Sequence, residues 1–427
     1  KYLAEFSFRY DGSLKFHPDR RWGFFPSVSL GWRLSEEAFM KKFSNLDNLK
    51  VRGSYGILGN DAVGGWQWLT NYSFGDAYIF NQAPIKSIVS GGIPNVDLTW
   101  EKTATFNFGV DASIYKGLLA VEADVFYKRT YDILGSRNAS MPQTFGATLP
   151  SENYGVVKVK GFELQVKHDN KIGDFRYHVG GNVSWSRNKV IEKDYAAGAE
   201  PWNIPVGKTM GYRACFVALG LFQSDEEAAA WPRFKGTQPT AGDVKYADLN
   251  NDGIIDERDK KVVSPYSNTP EIMFGLNLSA SWKGFDFSAL FQGAANRNVM
   301  LSGFATQMFI NGASNLPKYL YEDHWTPDNR DARYPKAWGP DHPSNNKSST
   351  FWLINGNYVR LKNVELGYSI SKDLLSRVGV DRLRIYVGGS NLFSIDHMPG
   401  YDPEKQDGGP NYYPQQKVFN MGVNITF

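Results

Sequence analysis

The stretch TFNFGVDASIYKGLLAVEADVFYK, residues 105–128, decides the fold class. Phe106, Phe108, Val110, Ala112 and Ile114 alternate with Thr105, Asn107, Gly109, Asp111 and Ser113. After the turn at Lys116-Gly117, Leu119, Val121, Ala123, Val125 and Tyr127 alternate with Ala120, Glu122, Asp124, Phe126 and Lys128. A period of two puts each set on its own face of an extended strand, so the sequence writes an antiparallel hairpin with one apolar and one polar face.

The same pattern recurs at 175–185, 272–282, 285–293 and 417–427, and the whole chain reads as about twelve strands. Short connections (116–117, 171–173, 283–284) alternate with long ones at 60–98, 191–267, 301–350 and 396–415, which are rich in Gly, Pro, Asn and aromatics. Transmembrane β-barrels have this asymmetry, with short periplasmic turns and long extracellular loops. A soluble sheet with one wet face would share the alternation without the asymmetry. On this reading Val110, Val125, Leu276 and Ile425 face lipid, while Asp111, Asp124, Asn277 and Asn424 face the lumen.

Composition agrees with a barrel. Aromatics make up 15% and glycines number 42, while no stretch approaches the roughly 20 apolar residues of a spanning helix. If the chain crosses lipid it does so as a closed barrel, the other structure that satisfies all backbone polar groups there. The net charge of +3 is interspersed, which leaves no footprint for nucleic acid. A lone Cys215 excludes an internal disulfide framework. The chain opens at Lys1 on what already reads as a strand, so a longer polypeptide is expected around it.

The final strand alternates Phe419, Met421, Val423, Ile425 and Phe427 with Asn420, Gly422, Asn424 and Thr426. It resembles the terminal signal read by the bacterial barrel-assembly machinery, with Asn420, Gly422, Ile425 and Phe427 at the matching positions. Such a strand offers an unpaired edge for templating and a ring for the membrane interface.

Several segments resemble the SusC/RagA-like TonB-dependent transporters of Bacteroidetes: WGFFPSVSLGWRLSEEAF (22–39), SYGILGN (54–60) and IPNVDLTWEKTATFNFGVDAS (93–113). DVKYADLNNDGIID (243–256), VRLKNVELGYSIS (359–371), LRIYVGGSNLFSI (383–395) and PGYDPE (399–404) follow in order. The resemblance implies an all-β transmembrane antiparallel barrel of about 22 strands with a plugged lumen, of which residues 1–427 form the C-terminal part. It further implies a bacterial outer-membrane protein that imports a nutrient, an oligosaccharide or a peptide, beneath a SusD-like surface lipoprotein. The plug and the TonB-contacting segment would precede Lys1.

The sharpest local motif runs from Asp248 to Asp259 and follows a twelve-residue calcium-loop spacing. Asp248, Asn250, Asp252, Asp256 and Asp259 supply oxygens at positions 1, 3, 5, 9 and 12. Gly253 falls at the sharp turn and Ile254 offers its carbonyl. A structural calcium ion is expected there; the plainer alternative is an acidic turn. Loop aromatics Trp66, Trp68, Tyr72, Trp202, Trp231, Trp325, Trp338, Tyr412 and Tyr413 are candidates for stacking on sugar faces or anchoring a partner. Each could equally be an interfacial ring or a loop-core residue.

Catalytic patterns are poor. The histidines His17, His168, His178, His324, His342 and His397 show no HExxH spacing, and no G-x-S-x-G elbow occurs. Val206 to Thr209 has the end of a phosphate loop, but Trp202 stands where its first glycine belongs. Carboxylates on strands, Glu122, Asp124, Glu163 and Asp286, suit a watery lumen better than acid–base chemistry. Nutrient import and no enzymatic activity is therefore the leading expectation, with a passive porin or a surface adhesion barrel as the alternative.

Overall fold

The computed structural model describes residues 1–80, 82–147, 149–309, 315–338, 342–371, 375, 379–405, 407–408, 413 and 415–427. Twelve long strands dominate: β1 (Tyr2–Gly12), β2 (Trp22–Arg33), β3 (Leu46–Asn60), β4 (Glu101–Ile114), β5 (Leu119–Gly135) and β6 (Glu152–Ile172), then β7 (Phe175–Glu192), β8 (Ile272–Trp282), β9 (Phe285–Ala295), β10 (Tyr358–Ser369), β11 (Arg382–Asp396) and β12 (Val418–Thr426). They form one twelve-stranded sheet in which spatial order equals chain order. Such an up-and-down meander places connections alternately at its two ends. One end carries 34–45, 115–118, 173–174, 283–284 and 370–381; the other carries 13–21, 61–100, 136–151, 193–271, 296–357 and 397–417.

The tight turns have the chemistry their geometry needs. Lys116 and Gly117 lie at φ 59° and 82°, and Lys283 and Gly284 at 45° and 90°, the positive-φ pairs whose twist matches a two-stranded ribbon. Any side chain at Gly284 would also meet the Ser369 carbonyl oxygen, 2.7 Å from an added Cβ.

Register carries one apolar face across the strands. Phe106 lies opposite Tyr55 and Tyr127, Val110 opposite Val51 and Ala123, and Phe108 opposite Val125. Likewise Leu276 lies opposite Gly181 and Phe291, and Ile425 opposite Leu383. Val125 is 53% exposed and Ile425 51%, although both are apolar. That exposure is what a lipid-facing surface looks like without lipid. Asp111, Asp124, Asn277 and Asn424 fall on the opposite face.

The chain divides into two compact units, residues 1–164 with 186–210, and residues 165–185 with 211–427. In the first, Phe16, Phe25, Leu98 and Trp100 form a core, and Trp100 donates its indole N–H to the Arg21 carbonyl at 2.8 Å. In the second, the long connections are folded in their own right. Arg213–Phe216 pairs with Lys260–Ser264, Ala218–Leu221 with Val244–Tyr246, and Asn298–Met300 with Leu353–Asn355. Their apolar residues build two cores, one around Phe216, Val244, Tyr246 and Ile255, the other around Leu301, Met308, Leu320, Tyr334 and Trp352. Loops of this length order only where buried apolar contact offsets their chain entropy, and these two cores supply it.

Candidate functional site

The polar face of the sheet carries the same charged device in each unit. In the first, Arg52 on β3 lies directly opposite Gly109 on β4, which lies opposite Asp124 on β5. The guanidinium extends over the glycine to Asp124, with Nη2 at 2.5 Å, and its Nε reaches Asp111 at 3.1 Å. A Cβ at Gly109 would come within 2.5 Å of the Arg52 guanidinium carbon, so the missing side chain makes the crossing possible. Asn107 adds a hydrogen bond to Asp124 at 2.8 Å. A recess beside this group is lined by Glu5, Ser29, Lys50, Arg52, Ser54 and Asn107.

In the second unit Arg384 on β11 reaches over Gly367 on β10 to Asp286 on β9, with Nε 2.9 Å from the carboxylate, and bonds Glu365 at 2.5 Å. Again an added Cβ, here on Gly367, would strike the arginine. Both devices put hydrogen-bonded arginines and carboxylates on the polar face, a surface that suits a hydrated solute.

Two buried polar nodes fix the loops of the second unit. Asp243, 1% exposed, accepts from Thr240 N–H and from the Asn345 amide, each at 2.8 Å, and stands 3.3 Å from His342 Nε2 and 3.5 Å from Lys336 Nζ. Burial alone would raise its pKa; the hydrogen bonds from His342, Thr240 and Asn345 outweigh that, and the carboxyl sits below its ordinary value. At the other node, buried Arg360 holds Asp402 at 2.8 Å and Glu404 at 2.9 Å, while buried Arg297 donates to the carbonyls of Pro403 and Lys405 at 2.6 and 2.5 Å. The PGYDPE segment is thus clamped by two arginines. Sequence reading singled out that segment without its role, and it missed Asp243, Arg297 and Arg360, because partners this far apart in the chain leave no local signature.

The calcium-type loop adopts a tight turn. Asp248 Oδ2 accepts from Gly253 N–H at 2.8 Å, Asn250 Oδ1 from Asp252 N–H at 3.0 Å, and Asp252 Oδ1 from Ile254 N–H at 3.0 Å. Arg258 lies against Asp252 at 2.5 Å and Asp256 at 2.9 Å, and this guanidinium holds the Asp256 carboxyl below its usual range. Fully buried Asp259 gives one oxygen to Leu249 N–H and the other to Asp256 N–H, at 2.7 and 2.8 Å. Among the described residues no group of three or more His, Cys, Asp or Glu side chains is arranged to hold a metal ion. The physical reason is visible: Arg258 and backbone N–H groups occupy the oxygens that the spacing offers. Asp248 Oδ1 is the exception, buried with no hydrogen-bond partner, which is the kind of atom a cation would take.

The loop aromatics separate by burial. Trp325 and Trp338 are 8% and 6% exposed, which places them in loop cores. Trp231 donates to the Tyr246 carbonyl at 2.8 Å and lies under Lys245. Trp202 is half-buried, its carbonyl accepting from Lys208 at 2.8 Å. Trp66, Tyr72 and Tyr413 are exposed, and Trp66 lies 6.2 Å from Trp68, which meets the His17 ring edge-on. Tyr412 lies outside the described residues. On the last strand Asn420 faces Gly388, Gly422 faces Tyr386 and Ile425 faces Leu383, while Phe427 is exposed. Burial pushes the Cys215 thiol up to about 11, leaving an inert apolar cysteine.

Residues 1–392 match the family described as TonB dependent receptor-like, beta-barrel. Across its full length the chain is 29% identical to TonB-dependent receptor P26 of Formosa agariphila, covering 44% of that protein. It is 26% identical to TonB-dependent receptor SusC of Bacteroides thetaiotaomicron, covering 42% of it. The chain therefore spans less than half the length of these curated relatives. In fold it superposes over its full length on 45% of a chain of the RagAB peptide importer in the open-open state, with TM-score 0.77 and 23% identity. An antiparallel sheet with one apolar face, a charged polar face and long folded connections at one end is what such a barrel wall requires, and this chain belongs to the TonB-dependent receptor-like β-barrel family of the outer membrane.

Proposed function

We propose that the protein containing this chain imports a nutrient across the outer membrane by TonB-dependent transport, and that residues 1–427 are the C-terminal part of its plugged barrel. The observation that carries the reading is the family match over residues 1–392. The paired charges around Arg52 and Arg384 support it, since they give a wall polar enough for a hydrated solute. The substrate class is an oligosaccharide or a peptide, and the partners are TonB, reached through a segment preceding Lys1, and a SusD-like lipoprotein seated on the extracellular loops. A SusC among the relatives and a RagAB importer among the folds support both choices. The clamped loops favour such a seat, because a surface already ordered loses little entropy on docking. The protein is a transporter and carries out no catalysis of its own.

Two finer readings belong to the same proposal. A structural calcium ion is held by Asp248, Asn250, Asp252, the Ile254 carbonyl, Asp256 and Asp259 once Arg258 swings aside; the unpartnered Asp248 Oδ1 supports it. Asn420, Gly422, Ile425 and Phe427 serve as the assembly signal; the strict alternation of the last strand and the exposed Phe427 ring support that.

Uptake of labelled oligosaccharides and peptides by cells carrying the complete protein, with and without a functional TonB, tests the main reading. Accumulation that stops when TonB is removed is expected. Uptake that persists unchanged would make the barrel a passive porin, and no uptake with intact surface adhesion would make it an adhesion protein.

A further inference from the structure

Outward-facing cations are confined, among the described residues, to four consecutive strands. On β4 the outward run Val110, Phe108, Phe106, Ala104 reaches Lys102; on β5 Val121, Ala123, Val125, Tyr127 reaches Arg129, with Tyr131 beyond it. Register proves the shared face, since Ala104 lies opposite Arg129 and Lys102 opposite Tyr131. The same alternation brings Leu164 and Phe162 on β6 to Lys160, and Trp185 on β7 to Arg187 and Lys189. Arg129, Lys160 and Lys189 are exposed, and Phe162 is exposed on either side of buried Gly161 together with Lys160. In each strand the cation stands in the half nearer the long connections, on the side where the apolar band gives way to the extracellular interface.

On the other eight strands the outward positions at that level are apolar or aromatic, among them Tyr10, Trp22, Ile57, Phe291 and Ile395. Basic residues that merely extended toward water at the edge of the membrane would be scattered around the wall. These are gathered. With strands about 4.8 Å apart, four strands spread their cations over about 15 Å. Lys102 has Asp132 as a counter-charge at 3.5 Å, and Arg129 lies 5.5 Å from the Tyr131 ring. Lys158, next on the same face of β6, is half-buried, and Arg187 is already engaged, so Arg129, Lys160 and Lys189 are the exposed cations of the group.

We propose that this face, β4 to β7, binds a phosphorylated lipid headgroup of the outer leaflet, with the phosphates against Arg129, Lys160 and Lys189 and the acyl chains along Val125, Tyr127 and Phe162. Charge complementarity selects an anion, and continuity with the apolar face selects a lipid as its bearer. A soluble phosphate would have no reason to find a site that opens sideways into hydrocarbon. A bound lipid would fix this side of the wall at the level where the loops begin.

The test uses the complete protein in detergent, with lipid retention read by native mass spectrometry against three probes: diphosphorylated lipid A, the same lipid stripped of both phosphates, and phosphatidylethanolamine. Retention of the diphosphorylated form alone is expected. The combined change Arg129→Gln, Lys160→Gln and Lys189→Gln should weaken it by at least about tenfold, as loss of three cations from one phosphate site requires. Lys128→Gln removes the same charge one residue away, on the polar face, and should leave retention unchanged. Heat-modifiable mobility checks that each variant is folded, and the single change Lys160→Gln serves if the triple variant is not. Equal retention of the dephosphorylated lipid, an unaffected triple variant, or displacement of the lipid by millimolar inorganic phosphate would each overturn the proposal.

Discussion

Gly422 lies directly opposite Tyr386 across the last two strands, and the Tyr386 ring covers it: a Cβ added to Gly422 would lie 2.5 Å from the phenol oxygen. An aromatic laid over a strand glycine restores the packing that the glycine lacks, and here it does so between β11 and β12. Gly422→Ala should be tolerated at a cost below about 1 kcal/mol, because the ring end can shift, while Gly422→Lys should cost about 1–3 kcal/mol by overpacking. Adding Tyr386→Ala should relieve Gly422→Lys. Denaturation followed by heat-modifiable mobility reads both. If the double variant is stable once folded but still fails to insert in cells, the glycine is needed for assembly and not only for packing.

Adjacent residues on one strand test the two faces. Leu276 and Asn277 sit side by side on β8, and register sends the first to the apolar face and the second to the polar one. Leu276→Arg should destabilise the protein by about 2–4 kcal/mol in lipid, and Asn277→Arg by much less. Comparable losses from the two, measured by unfolding in liposomes, would contradict the register.

Asp243 ties residue 345 and the region around His342 to residues 240–243, so its ionisation is coupled to loop docking. Its pKa in the folded protein lies below the ordinary 3.8, which means that its stabilising contribution is complete above that value and is lost as the pH falls further. Hydrogen exchange in residues 240–247 should therefore stay slow down to about pH 4 and quicken below it. Asp243→Ala should release these segments at neutral pH, at a cost of about 3–5 kcal/mol, because His342, Lys336 and Asn345 lose a common buried partner. Unchanged exchange in that variant would remove Asp243 from the docking.

How much of this was readable in the sequence follows from range. Period-two alternation is a local signal, so 105–128 fixed both the strands and their faces, and the short turns at 116–117 and 283–284 came with it. Strand ends were less exact: 285–293 extends to Ala295. The folded loops were not readable, because Phe216, Tyr246 and Ile255 meet only after the chain has turned back several times. Trp338 looks like a recognition residue by type and becomes a core residue by place. The arginine that crosses a glycine is visible only once register is known; the sequence puts Asp124 on the lumen face but does not join it to Arg52 across Gly109 until β3, β4 and β5 align.

The turn from Asp248 to Asp259 has two cations competing for it. Arg258 already neutralises Asp252 and Asp256, and Asp259 is occupied by two backbone N–H groups. Calcium must displace the guanidinium, so binding should be weaker than the spacing alone suggests. Asp248 Oδ1 and the Asn250 side chain are the oxygens it can reach first. Arg258→Gln removes the competitor and should tighten calcium binding, whereas Asp248→Ala with Asp252→Ala should abolish it and loosen residues 244–264 while the strands stay intact. The loop is exposed around Arg258, so the arginine's own pairings contribute little to stability and their loss should not unfold it. Isothermal titration of the complete protein and of these variants decides the matter. Heat of binding that rises in affinity with Arg258→Gln and vanishes in the double alanine variant is the expected result. No binding at millimolar calcium in either the natural protein or Arg258→Gln would show that the turn is closed by its arginine and holds no metal.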